Sequence, residues 1–184
     1  MMSRFKAAAI CGAALMLFAG SLLAQPEFDF MPDGGRETLL RLAGSSAIDL
    51  AEVTGRTATE EDWAVTVAAA DPSLPSAAVE TLASYLAINM PLASGPSGMD
   101  GAEQAAASLP PDGKKLAIEN CQFCHSFFTG YLVHDRDTQG WRNIFKAPFH
   151  TELPMTEKER KTFARYSAIN MPIPYEKVPE DLRF

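Results

Sequence analysis

A heptapeptide that returns almost unchanged constrains this chain's fold more than any other feature. YLAINMP at residues 85–91 comes back as YSAINMP at residues 166–172, identical at six of seven positions and 81 residues later. The likeness extends beyond the phrase. Trp63 follows TGRTATEED as Trp141 follows HDRDTQG, and LPS at 74–76 parallels LPMT at 153–156. Val79, Leu82, Ala83, Leu86 and Met90 fall at three- and four-residue steps, which predicts a helix burying one face. In the second copy Thr156 and Glu159 have capping-box spacing, and Phe163, Ala164 and Tyr166 supply the apolar side. Pro91 and Pro172 close the two helices, because proline lacks the N–H that a continuing helix needs. The expectation is an all-α chain built from two copies of one unit. The competing reading is an unrelated helical N-terminal domain with a chance match.

The chain's ends and joint are read from composition. Arg4 and Lys6 precede the apolar run AAAICGAALMLFAG, and SLLA offers Ala24 for cleavage, the order of a secretory signal peptide over residues 1–24. A retained membrane anchor is the alternative; no other segment approaches the ~20 apolar residues of a spanning helix. Removing residues 1–24 takes away two positive charges, so the formal charge moves from −7 to −9. Such an acidic chain argues against nucleic acid and favours a basic or mixed-charge protein partner. Residues 93–112, rich in Gly, Pro, Ser and Ala, read as a flexible linker between units at 25–92 and 113–173. The tail 174–184 reads as an extended arm, since the prolines of IPYEKVPEDLRF resist helix.

Only Cys121 and Cys124 remain once Cys11 leaves with the leader, and they stand in CQFCH, residues 121–125. A C-x-x-C-H run is the attachment signature of c-type haem: two thiols three apart at a helix end each add to a vinyl group, and the adjacent histidine meets the iron. A structural disulfide is an alternative in an exported chain. A zinc site would need two further ligands, and there is no second C-x-x-C. A thioredoxin-type pair would need a preceding strand, whereas GKKLAIEN reads as helix. The first half holds no cysteine and no histidine after the leader; near the matching place it has AGSSA, residues 43–47. One haem c is therefore expected, held by Cys121, Cys124 and His125 in the second unit alone.

Residues 113–173 resemble a class I cytochrome c domain, with a helix, C-x-x-C-H, a middle helix, a ligand loop and a C-terminal helix bearing a tyrosine. HDRDTQGW, with Trp141 sixteen residues after His125, is further similar to the small cytochrome subunits of periplasmic sulfite dehydrogenases. The resemblance implies two tandem cytochrome c-like units, of which only the second binds haem. It also implies a sixth iron ligand from the second unit. His134 would have to fold back sharply, and Met171 has the twin Met90 in a half without the attachment motif, so packing explains it better. Class I domains mostly use methionine, which favours Met155. Position in the loop before the C-terminal helix favours His150, and the place where the dehydrogenase subunits carry methionine is Pro148 here. His150 is the expected ligand and Met155 the alternative. Trp141 could donate to a haem propionate, but Trp63 makes core packing the better reading. Arg136 and Arg142 are weaker propionate candidates.

These residues together predict a periplasmic monohaem carrier of single electrons and not an enzyme. It would be the electron-accepting partner or subunit of a periplasmic dehydrogenase, or a donor to a terminal acceptor, docking through the haemless unit and the tail. A haem sensor or peroxidase-like enzyme with an open sixth position is the rival, and a haemless interaction protein the third reading.

Overall fold

The computed structural model describes residues 26–93, 102–122, 124 and 126–183; the leader at 1–24 and residues 94–101 of the linker lie outside these. The described chain is mostly helical, and no strand occurs among the described residues. The first half contains α1 (Gly35–Gly44), α2 (Leu50–Gly55), α3 (Glu60–Ala70) and α4 (Ser76–Asn89). After α5 (Ala102–Ser108) come α6 (Gly113–Cys121), a π-helical turn (Phe128–Leu132), α7 (Thr138–Asn143), a 3-10 turn (Ile144–Lys146), α8 (Pro148–Thr151) and α9 (Glu157–Asn170). Thr156 and Glu159 form the capping box that their spacing predicts. The methionines before Pro91 and Pro172 close α4 and α9 in the same extended conformation.

The two halves repeat the same contacts at fixed offsets, 78 residues as far as the tryptophans and 81 beyond them. Gly35 lets α1 press against Tyr85 on α4; an added Cβ would lie 2.3 Å from the tyrosine Cβ. Gly113 does the same for α6 against Tyr166, at 2.1 Å. Only glycine permits that approach. Leu92 N–H donates to the Thr54 carbonyl at 2.9 Å, and Ile173 N–H to the Leu132 carbonyl at 2.8 Å. Trp63 and Trp141 are both buried, with Arg56 over one indole and Arg136 over the other.

The halves meet through α4 and α9 in a reciprocal pattern. Asn89 donates to Thr162 Oγ1 at 3.1 Å, and Asn170 donates to Thr81 Oγ1 at 2.9 Å. Each amide also bonds its own helix, at the carbonyls of Tyr85 and Tyr166. The tyrosine hydroxyls cross over: Tyr85 donates to the Pro110 carbonyl and Tyr166 to the Pro32 carbonyl. Burial holds both phenols far above their ordinary range, so they stay protonated donors. Near the centre of this arrangement one carboxylate serves two helices. Asp112 accepts from Lys115 N–H in α6 and from Arg36 and Glu37 N–H in α1. Its counterpart is Gly34, where a Cβ would sit 2.0 Å from the Asp112 carboxylate, so the pair of positions has room for one side chain. Arg165 on α9 adds a forked ion pair with Glu60 at the start of α3.

Three expectations change here. The linker is helical over Ala102–Ser108 and packs on α1, with Ala105, Ala106 and Leu109 buried. Its breakers, Gly95, Pro96, Gly98 and Gly101, all precede a run of alanines with the highest helix propensity. The tail is no extended arm: it turns in 3-10 steps at Tyr175–Lys177 and Glu180–Leu182 and buries Val178 in the second core. The units are not separable at residue 92 either. Phe28 and Met31, 1% and 2% exposed, belong to the second core, while Leu109 belongs to the first. Each half's leading segment thus completes the other half's core, and a buried Phe or Met contributes ~1.5–3 kcal/mol.

Interlocked cores should unfold together. In the single-tryptophan variants Trp63→Phe and Trp141→Phe, fluorescence reports one half and far-UV circular dichroism the whole chain. The expected urea midpoints coincide within each variant; a fluorescence midpoint displaced from the dichroism midpoint would show halves that melt separately.

Candidate haem attachment site

The attachment motif begins where α6 ends. Leu116, Ala117 and Ile118 anchor the helix in the second core, and Cys121 follows on its last turn, half-buried against the same cluster. Two amides close the helix: Asn120 Nδ2 donates to the Leu116 carbonyl and Gln122 Nε2 to the Ile118 carbonyl, each at 2.8 Å. They occupy carbonyls that a continuing helix would use. Cys124 is exposed, and both cysteines are free thiols. Phe123 and His125 lie outside the described residues. Burial pushes the Cys121 thiol up to about 12.

Beyond the motif the core is aromatic. Phe127 stacks on Tyr131 at 5.2 Å between ring centroids, and Tyr131 lies 5.2 Å from Trp141 and 5.6 Å from Phe163. Phe28 meets Phe127 edge-on at 5.6 Å, so the leading segment reaches the rim of the attachment loop. The Tyr131 hydroxyl shares a 2.8 Å hydrogen bond with Ser167 Oγ, which itself bonds the Phe163 carbonyl. Burial holds this phenol far above its ordinary range.

Whether these residues suit a haem is tested on two observations. The first is the orphaned indole N–H of Trp141, buried without a partner, which a propionate would satisfy. Trp63 carries the same orphan in the half without cysteines, so the indole belongs to the repeated scaffold and marks no cofactor. The second is register. The 78-residue offset set by Gly35 and Gly113, and by Trp63 and Trp141, places Ala43-Gly44-Ser45-Ser46-Ala47 residue for residue against CQFCH. In the first half both thiol positions and the histidine position are therefore Ala43, Ser46 and Ala47. The free thiols at the end of a core-packed helix suit covalent attachment. The first half has the same helix end without the chemistry.

The proposed sixth ligands occupy different settings. His150 is half-buried in α8, with Nδ1 3.0 Å from the Ile144 carbonyl. That bond selects the tautomer whose Nε2 carries the lone pair, as in most metal-ligating histidines. Met155 is buried in the same core cluster as the half-buried Cys121. His134 lies edge-on to Trp141 with ring centroids 6.3 Å apart. Met171 is buried at the end of α9 in the same extended conformation as Met90. Arg136 stacks over Trp141, and Arg142 pairs with Glu157 at 2.9 Å. Among the described residues, no group of three or more His, Cys, Asp or Glu could hold a metal ion.

One cavity, of about 410 Å³, opens on the outer side of α7, lined by Gln139, Arg142, Lys146, Glu157 and Arg160 among others; neither cysteine lines it. Sequence reading missed two features near the motif: the contribution of Phe28 to its rim, and the hold of Arg160 on the loop before α9. Both are long-range contacts with no local signature. Comparison with protein-family models, curated protein sequences and solved structures finds no match.

The two thiols should differ in reactivity in protein without cofactor. At pH 8 a thiol held near 12 is only about one part in 10⁴ thiolate, and the thiolate is the nucleophile. Iodoacetamide should modify exposed Cys124 at least ~10-fold faster than Cys121, read by peptide mass spectrometry. Equal rates would contradict the burial of Cys121.

Proposed function

We propose that this chain is an exported monohaem c-type cytochrome, a carrier of single electrons built on two cytochrome c-like units of which only the second holds haem. The observation that carries the reading is CQFCH itself: two free thiols at and beyond the end of a core-packed helix, aligned in register with the ligand-free AGSSA. Cys121 and Cys124 would hold the haem through thioethers, and His125 would be its proximal ligand. When bound, the haem supplies one-electron chemistry at iron whose potential depends on the axial pair.

The segment before α9 would supply the sixth ligand. α3 is one continuous helix of 11 residues, but its counterpart is divided into α7, a 3-10 turn and α8. The repeat offset grows from 78 to 81 across that segment, so three extra residues enter where His150 and Met155 stand. His150 is the proposed ligand, its ring oriented by the Ile144 carbonyl. Met155 is the second reading, favoured by its burial alongside Cys121. With both axial positions filled by side chains, electron transfer is favoured over chemistry that needs an open iron position.

The partner would be a redox protein, such as a periplasmic dehydrogenase. Fourteen carboxylates and three cations fall between residues 25 and 112, against nine and eleven between 113 and 184. A basic partner surface would therefore be steered to the first half. Since that half is fused to the second core, it would act as a fixed acidic flank and not as a swinging module.

Reduced protein exposed to CO at neutral pH distinguishes the carrier from a sensor or peroxidase-like enzyme. The expected result is no rapid CO complex; rapid binding would overturn the carrier reading. In the oxidised protein His150 ligation predicts a bis-histidine EPR signal and no methionine-to-iron charge-transfer band in the near infrared. Presence of that band, abolished in Met155→Ala, would transfer the role to Met155.

A further inference from the structure

The loop between the 3-10 turn and α9 is held down from outside itself by one side chain. Arg160, on the first turns of α9, donates from Nη2 to the Thr151 carbonyl at 2.9 Å and to the Leu153 carbonyl at 3.3 Å. Its guanidinium lies over the Phe145 ring, 5.0 Å from the centroid, and Phe145 is buried in the second core. The loop's own backbone bonds run locally: His150 N–H and Thr151 N–H to Ala147, Leu153 N–H to His150, Met155 N–H to Leu153. Bonds of that kind curl a segment without fixing its place on the fold. Arg160 ties the two ends of the 151–153 turn to the helix and to the core in one planar group, a geometry that lysine cannot reproduce.

The other half shows why the tie matters. Val79 stands at the position of Arg160, 81 residues earlier, and there α3 runs to Ala70 and a short turn leads into α4. The half with a continuous helix has no long loop to restrain. The half with the inserted loop has an arginine whose two donated bonds end on it.

We propose that Arg160 is a positioning residue: stacked on Phe145 and bonded to the carbonyls of Thr151 and Leu153, it fixes the closed place of the 147–155 loop and so controls how readily the sixth iron position opens. This rests on the reading that the loop supplies the sixth ligand. Charge-assisted bonds to the carbonyls are stronger than neutral ones, and the flat face of the guanidinium is desolvated on Phe145. The arginine touches neither the iron nor the attachment cysteines; it acts through the loop.

The test uses the full-length holoprotein and two variants, Arg160→Gln and Arg160→Lys. The first readout is the rate of cyanide binding to the oxidised protein, which needs the sixth ligand to leave. Arg160→Gln is expected to bind cyanide at least ~10-fold faster than the parent, and Arg160→Lys, which keeps one charged donor, to fall between. The second readout is amide hydrogen exchange at Leu153 and Met155, expected to quicken in the same order while α9 beyond its first turns is unchanged. Parental cyanide rates in both variants would overturn the proposal. If the parent itself binds cyanide immediately, the sixth-ligand reading fails. The exchange data then judge the clamp alone, and unchanged protection in Arg160→Gln would overturn it. Should Arg160→Gln fail to fold, the graded response of Arg160→Lys in both readouts decides.

Discussion

The packing of α4 against α9 is the contact on which the rest of the structure depends. Two asparagines, each bonded to the opposite helix's threonine, form a reciprocal pair of buried polar links between the halves. Buried amides are costly unless satisfied, and these are satisfied twice, once across and once along their own helix. With α4 and α9 fixed, the glycine-lined crossings of α1 and α6 follow. So does the exchange of leading segments that puts Phe28 in one core and Leu109 in the other. Asp112 completes the arrangement, since a single carboxylate caps the first turns of both leading helices.

This interlocking explains how a scaffold can keep a half without ligand chemistry. The first half's residues 43–47 hold nothing that binds iron, yet its helix α4 supplies half of the central interface, and residues 104–109 owe their burial to it. Its retention needs no separate task of docking. The chemistry is concentrated in two departures from the repeat within the second half: thiols and histidine in place of AGSSA, and a divided, lengthened segment in place of the straight α3.

Much of this was legible from residues alone. The heptapeptide exposed the repeat, proline and the Thr156–Glu159 spacing set the helix ends, and the paired tryptophans and tyrosines marked buried positions that serve packing. The motif located the attachment helix, because asparagine and glutamine after an apolar helical face favour a stop at that place. Other features were not legible. The linker's composition, averaged over its length, hid an alanine-rich helix behind four breakers. The prolines of the tail exclude α-helix but not 3-10 turns, and Val178 alone does not announce its burial. The crossing of Phe28 and Met31 into the second core is a contact between residues more than 100 positions apart, for which no local pattern exists. Arg160 looked like any surface arginine, and its value lies in the carbonyls it meets.

The central claim is that one scaffold is present twice and that one copy alone carries covalent haem. Intact-mass and peptide mass spectrometry of full-length protein, expressed with export and c-type haem maturation, tests it most directly. The account predicts one haem per chain, attached at Cys121 and Cys124 together and lost when both are replaced by alanine. A chain that matures without haem, or that joins Cys121 to Cys124 in a disulfide, would contradict it.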